Sequence, residues 1–176
     1  MSGHNKWSQI KHKKGASDAA KSKLWSKIAK RIIVESKISN GDVTSPTLRT
    51  WIEKAKEANM PKDNIERAVK KGVANDAEAL ESIIYETYGP GGAAILIQTL
   101  TDSRNRTAQE IKHLLSEHGC ELASPGSAAW AFTKAGNSYE ASTTVALSDE
   151  DNEKLVRVLE IIDAHDDVED VYTNAA

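Results

Sequence analysis

The sequence predicts an α+β fold, helical up to about residue 80 and mixed from there to residue 176. Three observations predict it. Apolar residues recur at helical spacing through Gly72. Beyond that point, short apolar runs alternate with amphipathic stretches and Gly-rich turns. Charge breaks at the same place. Residues 1–72 hold 17 Lys and Arg against 7 Asp and Glu, or +10, and residues 73–176 hold 6 against 19, or −13, within a net charge of −3. Val73-Ala74-Asn75-Asp76 has linker composition between the halves. The expected domains are therefore 1–80 and 81–176.

The N-terminal half predicts three helices. The first starts at Ser17, a suitable N-cap, and runs to about Lys37. At about 100° per residue, Leu24, Trp25, Ile28, Ala29 and Ile32 share one side, and Lys23, Lys27, Lys30 and Arg31 share the other. Asn40-Gly41-Asp42 supplies turn chemistry. Ser45-Pro46 opens a second helix, with Ser as cap and Pro at the first helical position. Its buried stripe is Leu48, Trp51, Ile52 and Ala55. Asn59-Met60-Pro61 breaks it. A third helix covers Lys62 to Lys71, with Ile65, Ala68 and Val69 inward, and Gly72 reads as its C′ residue.

The C-terminal half begins with a strand at Ile83–Tyr88 and a turn at Gly89-Pro90-Gly91-Gly92, either a tight hairpin or an exposed contact tip. Ala93–Leu100 is the most apolar stretch and predicts a central strand. Thr107–His118 predicts a helix. Ala128–Lys134 and Ser138–Leu147 predict strands joined at Gly136-Asn137, a two-residue hairpin signal. Ser148 caps a further helix with Asp151 as its third-position partner. Val168–Thr173 closes the chain as a strand. From Ala93 on, this is the β-α-β-β-α-β string of a ferredoxin-like domain, with one extra strand in front.

Composition excludes several classes. No apolar run approaches the roughly 20 residues of a membrane span. The basic N-terminus lacks the apolar region and cleavage site of a secretory signal, and it is Lys-rich where a transit peptide is Ser- and Arg-rich. Cys120 is the only cysteine, so no intrachain disulfide forms, as suits a reducing cytoplasm. His113, His118 and Cys120 lack zinc-ligand spacing, so neither metal nor cofactor is expected. No nucleophile–base signature marks an enzyme, and nothing points to a small-molecule substrate.

What stands out is Gly3–Arg31. It holds nine cations against one acid, Asp18. Lys6, Lys11, His12, Lys13 and Lys14 lie in a stretch without apolar period, read as an extended arm. Lys21, Lys23, Lys27, Lys30 and Arg31 follow on the first helix. Arg67, Lys70 and Lys71 lie along the outer side of the third. A basic arm running into basic helices is a footprint for a polyanion. Trp7 has no periodic neighbours. It either stacks on a base or anchors under the first helix. Arg104 and Arg106 sit where cations oppose a helix dipole, which calls for an anion or for pairing with nearby acids.

Four ordered motifs resemble the YebC/PmpR family of probable transcriptional regulators. They are Gly3-His4-Asn5-Lys6-Trp7-Ser8-Gln9-Ile10-Lys11-His12-Lys13-Lys14, Ala58-Asn59-Met60-Pro61-Lys62-Asp63-Asn64-Ile65-Glu66-Arg67-Ala68, Tyr88-Gly89-Pro90-Gly91-Gly92, and Thr101-Asp102-Ser103-Arg104-Asn105-Arg106-Thr107. The resemblance implies a cytoplasmic, non-enzymatic DNA-binding regulator. Translation-associated relatives make rRNA, tRNA or the ribosome the alternative partner. It also implies a third domain inserted in the second. This chain is some 70 residues shorter than typical members, and the Gly136-Asn137 turn sits where that insertion would enter.

Overall fold

The computed structural model describes Trp7, residues 18–74 and residues 79–176. The chain divides into two compact units, Ala16–Leu80 and the unit built on Glu81–Ala176.

The first unit has three helices among its described residues: α1 (Asp18–Ile38), α2 (Pro46–Glu57) and α3 (Lys62–Val73). Ile28, Ile32, Leu48, Ala55, Met60, Ile65 and Ala68 form its core, with Trp25 and Trp51 packed against it. The turns end the helices where the sequence places breakers. Asn40 and Asn59 both adopt positive φ, at 51° and 56°, a conformation Asn tolerates better than most residues. Trp25 Nε1 donates to the Ala58 carbonyl at 2.8 Å, tying α1 to the turn before α3. Ser36 Oγ donates to the Val69 carbonyl at 2.7 Å at the other end of the same helix pair.

Two local expectations change. Ser45 stands at the N-cap of α2, but its side chain makes no capping bond; its hydroxyl lies 3.4 Å from that of Thr47 instead. Gly72 is not a C′ residue. It lies within α3, and an added Cβ would stand 2.5 Å from the Ile33 carbonyl oxygen and 2.6 Å from Ser36 Cβ. This glycine is the place where α3 backbone meets α1 backbone.

The second unit is built on a four-stranded antiparallel sheet. Its strands are β1 (Glu81–Tyr88), β2 (Ala94–Thr101), β3 (Leu122–Ala123) and β6 (Val168–Thr173), in the order β3-β1-β2-β6. Pro90–Gly92 forms a 3₁₀ turn between β1 and β2. Helices α4 (Arg104–Glu117) and α5 (Asp149–Asp163) supply the larger core, where Ile95 and Ile97 of β2 meet Ile111, Leu115, Leu155, Leu159 and Ile162. Ser148 caps α5 as expected, its Oγ accepting the Asp151 amide at 3.1 Å.

The alternate residues of β2, Ala94 and Leu96, face a second cluster with Ala128, Ala131 and Tyr172. Every residue of β2 is buried as a result. That explains its unbroken apolar run: a strand covered on both faces has no solvent side to alternate with.

The cover on this second face is the hairpin of β4 (Phe132–Ala135) and β5 (Ser138–Ala141), preceded by a 3₁₀ turn at Ala129–Ala131. Ala135 pairs with Ser138, and Gly136 takes φ 63° between them. The α+β class holds, and helix, hairpin, helix and last strand follow β2 in the expected order, with the short strand β3, which the sequence reading did not include, between α4 and the hairpin. The hairpin, however, pairs only with itself, and β1 and β3 complete the main sheet. Both hairpin strands are shorter than expected, because the segment before them leaves the ladder to cover β2 and the segment after them turns toward the C-terminus, where Val145 bridges Ala175. Glu86 fixes one of those segments. Its buried carboxylate accepts the amides of Gly126, Ala128 and Ala129 at 2.7, 2.7 and 2.8 Å, bonds that offset the cost of burying it.

Trp7 belongs to the larger core of this unit and is 3% exposed. Neither sequence reading of Trp7 survives. Its indole is not presented to a base, and it packs with the sheet unit instead of under α1.

Candidate nucleic-acid interface

Among the described residues, no helix is long and apolar enough to cross a membrane. The cationic residues singled out in the sequence separate into distinct groups. Lys6, Lys11, His12, Lys13 and Lys14 lie outside the described residues.

On α1, helical geometry puts Lys23, Lys27 and Lys30 in one strip, with Ser22 and Ser26 between that strip and the apolar stripe. Lys21 falls on another side and stands 3.9 Å from Asp18. Arg31 turns toward α2, its guanidinium 5.8 Å from the centre of the Trp51 ring, where Lys54 approaches to 4.1 Å. Such contacts commit part of each cation to the ring face. On α3, Arg67 and Lys71 are one turn apart on a common face. Lys70 stands about 60° from Arg67 on the side away from Lys71, and it does not line the groove that the other two share.

Arg67 and Lys71 rim a groove of about 340 Å³ between α1 and α3. Trp25, Ala29, Met60 and Ala68 give it an apolar lining, and Ser26 stands at the α1 side. The strip on α1 and the pair on α3 therefore flank an open concavity. Sequence reasoning missed the groove. Its signal was present in the Asn64, Arg67, Lys71 spacing, a polar stripe running beside Ala68.

Arg104 and Arg106 are paired with carboxylates. Arg104 Nη2 lies 3.1 Å from Glu81 Oε2. Arg106 Nη2 lies 2.9 Å from both Asp102 Oδ1 and Asp167 Oδ2. Hydrogen bonds donated to Asp167 and then to Asp102 hold the Arg106 guanidinium more firmly protonated than usual. Of the two sequence alternatives, the structure has pairing with acids, and the partner carboxylates come from β1, from the turn before α4 and from the turn before β6.

Asp167 is buried, and the Thr107 hydroxyl also reaches it at 2.8 Å. Beside it, His165 Nδ1 accepts the Asp167 amide at 3.1 Å, and Nε2 lies 3.0 Å from Glu110 Oε2. The Nδ1 bond assigns the ring proton to Nε2. Glu110, His165 and Asp167 bring potential ligand atoms within 4.8 Å of one another. The cation already among them is the Arg106 guanidinium, so the cluster reads as a structural clamp. Cys120 is buried, and burial pushes its thiol pKa up, the reverse of an activated nucleophile.

Residues 5–75 match the model of the TACO1/YebC protein N-terminal domain, and residues 80–139 match that of the TACO1/YebC second and third domain. A probable transcriptional regulatory protein of Fervidobacterium nodosum is 53% identical over 138 residues, covering 77% of this chain and 55% of that one. The chain thus spans about half the length of that relative. A similarly described protein of Kosmotoga olearia is 38% identical over 236 aligned positions, covering 99% of this chain and 94% of its own length. With 176 residues here, at least 60 of those positions have no counterpart in this chain. The second family match ends at residue 139, within the β4–β5 hairpin. The crystal structure of the conserved hypothetical protein Aq1575 from Aquifex aeolicus superposes with a TM-score of 0.86 at 30% identity, covering 97% of this chain and 96% of that one.

Proposed function

The chain belongs to the TACO1/YebC family of probable transcriptional regulatory proteins, and from that premise we propose that it is a regulator that binds DNA through its helical unit. The observation that carries the reading is the pairing of the Lys23, Lys27, Lys30 strip with Arg67 and Lys71 across one groove. These are phosphate-binding groups on rigid helices, in the half of the chain that carries +10. The acidic half repels a polyanion and serves as scaffold.

Lysine outnumbers arginine in this group. Lysine contacts phosphate as a point charge and does not make the bidentate base contacts of arginine. Binding is therefore of low sequence specificity. The same property favours a second reading, a factor on structured RNA such as rRNA or tRNA, where shape and phosphates dominate recognition. The Arg104 and Arg106 guanidinia, held by carboxylates, take no part in either.

The test is binding of the full chain to a DNA duplex over a series of salt concentrations, alongside sedimentation with ribosomes. The log of affinity falls linearly with the log of salt, with a slope of about 0.9 per phosphate neutralised. Lys23, Lys27 and Lys30 changed together to Glu abolish it. Binding that is indifferent to salt, or unchanged in the triple variant, refutes the proposal. Co-sedimentation with ribosomes and no retention on genomic DNA selects the RNA reading.

A further inference from the structure

We infer that the α1–α3 groove receives a single unpaired nucleobase, so that the preferred ligand is a strand with an extruded or unstacked nucleotide and not a fully paired duplex. The inference rests on the nucleic-acid reading above and adds the form of the ligand.

Three features of the groove carry it. Its volume, about 340 Å³, is in the range of small-molecule sites. Its lining is largely apolar, with Trp25, Ala29, Ile33 and Ala68 in the walls. The Trp25 indole is held in place by its bond to the Ala58 carbonyl, so it is a fixed surface for an aromatic ring, and stacking on it costs little ordering. Its rim is cationic, with Arg67 and Lys71 one turn apart on α3 and the lysine strip beyond Ser26 on α1. A nucleotide in a strand has the matching layout: a flat, weakly hydrated base with a phosphate on either side. A duplex offers phosphates alone and leaves the apolar floor wet. Asn64 in the wall supplies an amide able to donate to and accept from a base edge.

The test separates this inference from the parent proposal. Anisotropy titrations of the full chain use a perfectly paired DNA duplex and the same duplex with one bulged nucleotide. The bulged form binds about 10-fold more tightly, a factor within the range of one base–aromatic stack. Ala29→Leu and Ser26→Leu fill the groove without touching a charge. Both bring the bulged duplex down to the affinity that the same variant has for the paired one. Ser26 is exposed, so its variant keeps the test alive if Ala29→Leu unfolds.

Equal affinity for the two duplexes in the wild type overturns the inference and leaves the parent proposal standing. So does a preference that survives in the groove variants. Displacement of the bulged duplex by polyglutamate as effectively as by unlabelled bulged duplex also overturns it, since the site then takes an acidic peptide. Failure to bind either duplex or ribosomes overturns both.

Discussion

Replacing Gly72 by Ala sets two known effects against each other. In an exposed helix interior the change stabilises by about 1 kcal/mol, because Ala is the better helix former. Here the new methyl would stand 2.5 Å from a backbone oxygen, that of Ile33, and 2.6 Å from Ser36 Cβ. Neither atom can move away by a side-chain rotation. The helices must separate, and the Ser36 Oγ to Val69 carbonyl bond beside the contact stretches with them. Overpacking of this kind costs about 1–3 kcal/mol, and a clash with backbone belongs at the upper end. The net expectation is a loss of about 2 kcal/mol. For a unit of this size each kcal/mol moves the midpoint by about 4–8 °C, so the helical transition falls by roughly 10 °C. Thermal melts of the full chain followed by circular dichroism at the helix band measure it. A midpoint that rises shows that helix propensity wins and refutes the close approach of α1 and α3.

Other expectations follow from the same geometry. Trp25→Ala removes both core packing and the bond to Ala58, costing about 3 kcal/mol, which equilibrium denaturation of the helical unit detects. Lys11, Lys13 and Lys14 changed together to Ala leave the melting temperature within about a degree, since exposed charges contribute little. The same triple change weakens binding evenly across sequences and lowers the salt slope by about one for each phosphate no longer neutralised. Arg106→Gln lowers the melting temperature by several degrees, because buried Asp167 loses its cation, and it leaves nucleic-acid affinity unchanged; a selective loss of binding would restore Arg106 to the interface. The Cys120 thiol, with its pKa raised by burial, reacts slowly with a disulfide reagent at pH 8 and fast once denatured; prompt labelling of the folded chain contradicts the burial.

Much of the fold was legible because its signals are local. Pro46, Asn59-Met60-Pro61 and Ser148 mark helix ends by backbone chemistry that acts within a few residues. The continuous apolar run of β2 announced a strand covered on both faces. What stayed hidden depends on partners far along the chain. A glycine that ends a helix and a glycine that admits a neighbouring helix look alike in sequence, and only Ile33 and Ser36 tell Gly72 apart. Arg104 and Arg106 left an anion and an acid both open as partners, because Glu81 and Asp167 are distant in number. The strand string suggested one sheet, and the small residues Ala128 and Ala131, which let the hairpin's leading segment lie flat on Ala94 and Leu96, carry no pattern to say so. On α1 the lysine strip was visible, but the groove needed the position of α3.

The self-contained hairpin has an engineering consequence. Its ladder runs from Phe132 opposite Ala141 to Ala135 opposite Ser138 and shares no rung with the main sheet. A polypeptide spliced in at Gly136-Asn137 lengthens one surface loop and breaks no hydrogen bond of β1, β2, β3 or β6. The entropy of closing a loop grows only as the logarithm of its length, about 0.6 kcal/mol for each doubling. A guest whose own ends lie close together adds less still. The tip is thus a natural cloning port for an affinity tag or a fluorescent reporter, with the helical unit left in its native sequence.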